Sequence, residues 1–325
     1  MLAFTIRRIF VSIPILIVST IIVFFMVSWA SNPYADLEGR HPAPPPSAFA
    51  ERKAQLHLDQ SMLHRYFTWL GGIVHGNFGY SVHWHNRVGG ELAHRMGVTL
   101  RMVFAALILA ALFAVVTGVV SAVKQYSITD YSLTFAGFLF LSLPTFWFAL
   151  ILKQVAIHIN GWVGSRIFDT IGDQSLDPKH GFAHLTDLFS HLVLPTITLA
   201  LISYAAWSRF GRASMLDVLN SDYIRLARAK GLSKSRVMVR HALRTALIPL
   251  TTVMAIDFAG LLGGAVITET IFQWHAMGEF GTGSVIQGDV NSTLAWLVAT
   301  GAIVITFNLI ADLMYAALDP RIRYA

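Results

Sequence analysis

Apolar residues in this chain fall in long unbroken runs, with charge gathered between the runs rather than alternating with apolar positions. Residues 9–30 contain no Asp, Glu, Lys or Arg. That is enough for one bilayer crossing, which takes roughly 20 apolar residues as a helix. Runs of similar character follow at 98–123, 131–159, 191–208, 246–272 and 293–318. The pattern predicts an all-α membrane protein with six transmembrane helices. For the first run a cleaved signal peptide is the rival reading, because Arg7 and Arg8 precede it. Its apolar core exceeds the usual 7–15 residues of such a peptide, so an uncleaved first span is expected. Pro144 and Pro195 fall inside the third and fourth runs and are expected to kink them.

Residues 31–97 break the pattern. Pro42 and Pro44 to Pro46 mark an irregular start, and a helix is expected from Ser47 to about Leu70 with Leu63, Phe67 and Leu70 on its apolar stripe. The chain therefore divides into a first span within 1–30, a small extracytoplasmic lobe over 31–97, and a membrane domain over 98–325.

Composition agrees with this reading. Hydrophobic residues make up 55% and charged residues 13% of the 325. A soluble domain carries roughly 25% charge, so this chain has too little to cover a soluble surface of its size. Cys is absent, which removes disulfide and thiolate chemistry. With six spans, the first basic pair, Lys124, the segment from Arg209 to Arg244 and the tail share one side. That side holds fourteen Lys and Arg in about 60 residues, against eight in about 120 on the other. The excess places both termini and the 209–245 loop in the cytoplasm. The basic charge is a topology signal, and no nucleic-acid partner is expected.

The cytoplasmic loop is not written as a floppy connection. Tyr223, Ile224, Leu226 and Ala227 form an apolar stripe among Arg225, Arg228 and Lys230, which suits a short amphipathic helix. Gly231 suits its C-terminus and Ser233 the N-cap of the next helix. Two readings of such a segment stand side by side: a rigid protrusion that docks a partner, and a solvated basic loop that only fixes topology.

Motifs for chemistry are missing. No GxxxxGK[ST] occurs, so the chain has no phosphate-cradling loop of its own, and neither HExxH nor GxSxG is present. His75, His83, His85 and His94 lie in the lobe without a convincing third ligand and are expected to be surface residues. Asp169, Asp173, Asp177 and Asp187 are spaced too irregularly for a calcium loop. Lys153 lies in the third run and is expected to snorkel outward. Asp257, Glu269, Asn308 and Asp312 are polar residues inside the fifth and sixth runs. Asp257 with Asp312 is a conceivable aspartyl protease pair, but the sequence around them lacks the context for that chemistry. They are expected to line a pathway or anchor packing.

The stretch LARAKGL followed by RHALRTALIP resembles the cytoplasmic signature loop of ABC importer permeases of the dipeptide and oligopeptide branch, which also includes nickel and glutathione permeases. The generic signature begins Glu-Ala-Ala and has Gly four residues after the second Ala. Arg225, Leu226 and Ala227 stand in those places and Gly231 is kept. Arg244 stands where the generic loop has Pro, and the Pro is Pro249, as in the peptide branch. LDQSMLHRYFTWL, SLPTFWFALIL and DPRIRYA carry further likeness; His275 and Ala276 replace the usual Pro-Gly after Trp274.

The resemblance implies a peptide importer working by alternating access, with nickel or glutathione as alternative cargo and a stand-alone secondary transporter as the reading from another class. It implies a second, similar permease chain, ATP and Mg bound by two separate or fused ATPase subunits rather than by this chain, and an extracytoplasmic substrate-binding protein. It also implies that Arg225, Leu226, Ala227, Arg228, Ala229, Lys230, Gly231 and Leu232 form the segment that couples ATP hydrolysis to transport.

Overall fold

Hydrocarbon offers no water to backbone N–H and C=O groups, so an apolar chain that crosses it does so as helix or closed barrel. The computed structural model describes residues 2–30, 32–39, 41–81, 86–177 and 180–318, and among these the ordered elements are helices. In chain order they are α1 (Leu2–Ala30), α2 (Ala35–Glu38), α3 (Pro46–Gln55), α4 (Met62–Val74), α5 (Val88–Val123), α6 (Ile128–Ser142), α7 (Thr145–Val163), α8 (Phe182–Leu219), α9 (Asp222–Ala229) and α10 (Lys234–Arg236). A π-helical stretch, Val237–Leu243, leads into α11 (Arg244–Phe272), followed by α12 (Met277–Ile286) and α13 (Val290–Leu318).

Five of these are long and apolar enough to cross a membrane, within α1, α5, α7, α8 and α13. A sixth is present if Lys234–Phe258 and Gly260–Phe272, which meet at a bend of 42°, count as one span. The expected third span is not one kinked helix. It ends at Ser142 and restarts at Thr145, because Leu143 is extended (φ −82°, ψ 126°) and Pro144 caps α7. The residue before a proline is pushed out of the α region, and here the result is a full break. Helices α5 and α8 run well past the apolar runs at 98–123 and 191–208.

The chain divides into two compact units. One comprises residues 6–99 and 275–306. Its core packs Tyr66 of α4 against Phe24 of α1 and against Val290 and Leu294 of α13. The Tyr66 hydroxyl lies 3.0 Å from Thr20 Oγ1, inside the first apolar run. The expected stripe is therefore rotated: Leu63 and Phe67 are exposed, and Tyr66 points inward. Ser61 caps α4 by accepting from His64 N, which splits the single expected helix of 47–70 in two. Ser81 and Ser292 both donate to buried Asp289, and Arg95 pairs with Glu91 and Glu279.

The other unit comprises residues 1–5, 100–274 and 307–325. Here α8 is the central helix, packed by α6, α7 and α11. It approaches α5 closely at Gly118, where an added Cβ would sit 3.0 Å from Arg212 N and 3.2 Å from Ser208 O. Phe258 stacks on Phe307 at 3.7 Å between centroids, with Phe104 at 5.3 Å from Phe307.

Candidate functional site

The sequence around Ser221 starts a helix and the sequence around Gly231 ends it. Ser221 is extended at the N-cap (φ −72°, ψ 152°), Asp222 occupies the first turn and Arg228 the last, each the sign that the helix dipole favours. At the other end Gly231 has φ +78°. Gly231 N donates to Arg228 O at 3.0 Å and Leu232 N to Ala227 O at 3.4 Å, the paired bonds of a Schellman ending. Ser233 then opens α10 from an extended N-cap, as the sequence suggests. An added Cβ at Gly231 meets nothing within 4 Å, so only its backbone angle constrains the residue. Gly231→Ala is expected to cost about 1 kcal/mol in the local turn. Gly231→Pro cannot adopt the angle at all, and faster tryptic cleavage after Arg225 and Arg228 in membranes is the expected sign that the turn is lost.

Helix α9 has two faces. Ile224 (0% exposed) and Ala227 (8%) enter a cluster with Ala122 of α5, Met215 of α8, Val237 and Ala242 of the π-helical stretch, and Ala246 of α11, with Leu232 packed against it. Leu226 (56% exposed) and Tyr223 (44%) face outward, as do Arg225, Arg228, Ala229, Lys230 and Gly231. The eight candidate residues thus divide into Ala227 and Leu232, which seat the segment, and the other six, which present a surface. Tyr223 belongs to that surface and was not among them.

A polar network lies beside this seat. Asp130, in the first turn of α6, is 2% exposed. Its carboxylate accepts two bonds of 2.8 Å from Arg212 of α8, one of 2.9 Å from Tyr126 N, and one from Ser121 Oγ of α5. The Arg212 guanidinium, hydrogen-bonded to it, holds the Asp130 carboxyl well below the usual carboxylate range. Bidentate geometry of this kind is the strong form of the arginine–carboxylate pair. Sequence alone offered no signal for it, since the partners are 82 residues apart.

The remaining candidates are dispersed. Trp207 Nε1 donates to Asp257 Oδ2 at 2.7 Å. Glu269 is buried (1% exposed), Asn308 is exposed, and the side chain of Asp312 lies outside the described residues. Lys153 does not reach for the interface; its Nζ donates to Ile271 O at 3.0 Å and so caps the last turn of α11. The small residue Ala265 is fully buried, while the side-chain surroundings of Ala259, Gly263 and Gly264 lie outside the described residues. His75 and His94 are exposed, and His83 and His85 lie outside the described residues.

One group that the spacing did not suggest is Asp169, Asp187 and His191, whose ligand atoms lie within 4.8 Å of one another. Several of the polar atoms there already have protein partners. Ser190 donates to Asp169, Ser175 donates to Asp187, and His191 Nδ1 lies 2.8 Å from Asp187 O. These bonds, with the Arg101–Asp173 pair at 3.2 Å, order the loop between α7 and α8, whose aspartates the sequence shows only as irregularly spaced.

Comparison with known proteins gives a consistent result. Residues 114–324 match the family of binding-protein-dependent transport system inner membrane components, and residues 1–103 match the N-terminal family of such membrane components. The chain is 40% identical over 318 residues to the oligopeptide transport system permease protein OppB of Mycobacterium tuberculosis, covering 98% of each. It is 37% identical over 328 residues to the permease protein AppB of Bacillus subtilis, covering 100% of each. It is 33% identical over 337 residues to the dipeptide permease protein DppB of Escherichia coli, covering 100% of this chain and 99% of that one. Among solved structures, an inward-facing MetNI methionine ABC transporter chain aligns with TM-score 0.55 at 16% identity, covering 70% of this chain and 96% of that one, a likeness of fold. With both family models matched and relatives at this identity along the whole length, the chain belongs to the binding-protein-dependent transport system inner membrane component family.

Proposed function

We infer that this chain is a permease subunit of an ATP-driven importer that carries peptides across the cell membrane. The observation that carries the reading is the full-length identity to oligopeptide and dipeptide permeases of three organisms. Physical support comes from α9, a helix seated by one face and bare on the other, in a chain with no nucleotide-binding loop. A subunit that does not bind ATP needs a contact through which an ATPase moves it. The outward residues Leu226, Ala229 and Gly231, rimmed by Tyr223, Arg225, Arg228 and Lys230, are that contact in this reading.

The mechanics follow from the packing. Helix α8 is 38 residues long, about 57 Å at 1.5 Å per residue, and joins α9 through Asn220 and Ser221 alone. The seat of α9 takes one residue or more from each of α5, α8 and α11. A push on α9 is shared among three long helices at once, and Arg212 extends it to α6. ATP-driven closure of partner ATPases, with bound Mg, would thereby tilt this set and expose the pathway alternately to the two sides.

The reading includes six spans with cytoplasmic termini, the 31–97 segment as the docking lobe for a substrate-binding protein, and a second permease chain completing the pathway. Purification in mild detergent followed by mass spectrometry is the test. A second permease and ATPases with Walker motifs are the expected companions, and proteoliposomes of that assembly with its binding protein should accumulate labelled tripeptide when given ATP. Uptake of nickel or glutathione in place of peptide would move the cargo, and transport by the single chain would refute the importer.

A further inference from the structure

Asp257 lies 13 residues beyond Arg244 in α11, about 20 Å along the helix and well inside the fifth apolar run. A carboxylate at that depth faces protein or a water-lined path, because hydrocarbon does not accept it. One of its oxygens is fixed. Trp207, fully buried on α8, donates to Oδ2 at 2.7 Å. The other has no protein partner among the described residues, where no Lys, Arg or His pairs with Asp257. The side chain itself is half-buried.

The helix face beside it is open. Gly260, one turn further on, has no described residue within 4 Å of where a Cβ would stand, and the adjacent Ile256 is 67% exposed. A held carboxylate with one oxygen unpartnered among the described residues, beside a helix face that they leave open in mid-membrane, is complementary to a passing cation. On the peptide-importer reading, on which this step rests, the cargo supplies one. Side chains vary from peptide to peptide, whereas a free amino terminus is an ammonium in every one. We propose that Asp257 is a specificity-determining residue that binds the α-ammonium of the peptide during passage, with Trp207 as its positioning residue.

The test uses the assembled permease and ATPase complex in nanodiscs without the binding protein, so that only the membrane components select. Radiolabelled tri-alanine, with its amino terminus free or acetylated, is titrated by equilibrium dialysis. The complex is expected to bind the free form about tenfold more tightly than the acetylated form. Asp257→Asn keeps an acceptor for Trp207, and it is expected to bind both forms with the weaker affinity. An unchanged ratio in the variant overturns the assignment, as do equal losses for both forms, which would mark Asp257 as a packing group or a contact to the second permease. Undetectable binding of either form to the unmutated complex also overturns it. ATP-driven uptake of the free peptide with the binding protein present separates the two readings. Failure of that uptake refutes the importer itself, whereas normal uptake with an unchanged ratio refutes only the role of Asp257.

Discussion

Leu226→Glu is expected to abolish ATP-driven uptake while leaving the chain in the membrane in normal amount. Leu226 is 56% exposed on a helix whose other face is buried, so its side chain contributes nothing visible to the fold of this chain. Surface substitutions of that kind change stability by about 0.5 kcal/mol or less. If the bare face is where an ATPase docks, a carboxylate at its centre loses apolar contact and is left desolvated. Central interface residues cost about 2–4 kcal/mol when disrupted, which predicts a fall in uptake of roughly 100-fold and loss of ATPase subunits from the purified assembly. Ala227→Glu provides the contrast. Ala227 is 8% exposed inside the seat of α9, so a carboxylate there enters an apolar cluster and destabilises the loop itself. The first variant should fail in docking at unchanged thermal stability and the second should fail in stability. Wild-type uptake and full ATPase retention in Leu226→Glu would remove this face from the coupling contact.

The two residues also show where a sequence stops being legible. Tyr223, Ile224, Leu226 and Ala227 are all apolar, and over a helix of eight residues their spacing does not choose a buried side. The choice is made by Met215, Val237 and Ala246, which arrive from other helices. The same holds for α4, where the Leu63–Phe67 stripe is as periodic as the Tyr66–Leu70 one that packs. What reads directly is whatever is local. Apolar runs give helices because the backbone must satisfy itself, and Gly231 gives the turn because a left-handed angle suits little else. Pro144 is local as well, and the break it makes is legible in principle from its effect on Leu143. Partners far apart in sequence are not legible: Asp130 with Arg212, Asp187 with Ser175, and Trp207 with Asp257 are set by the fold.

The Asp130–Arg212 pair is the long-range contact whose removal should matter most. Arg212→Gln leaves a carboxylate 2% exposed without its charged partner, with Ser121, Thr134 and the Tyr126 amide still donating. Breaking a buried pair from one side costs about 3 kcal/mol, because the stranded charge is not resolvated. Asp130→Asn strands a guanidinium that is itself half-buried and can turn toward water, so its cost should be smaller. The double variant removes both charges and should lose less than the sum of the two single changes, the mark of a direct coupling. Thermal unfolding of the purified assembly gives these comparisons. The sign of the pH dependence is also fixed. Arg212 depresses the carboxyl, so the contribution is fully present above the unfolded carboxylate value of about 3.9 and is lost as pH falls through the lower folded value. The contribution of the wild-type pair should therefore be the same at every pH between about 6 and 8. Because the pair ties α6 to the helix that carries α9, the variant is also expected to hydrolyse more ATP per peptide transported. Wild-type unfolding temperature in Arg212→Gln, with strict additivity in the double variant, would show that α6 is held to α8 by packing alone.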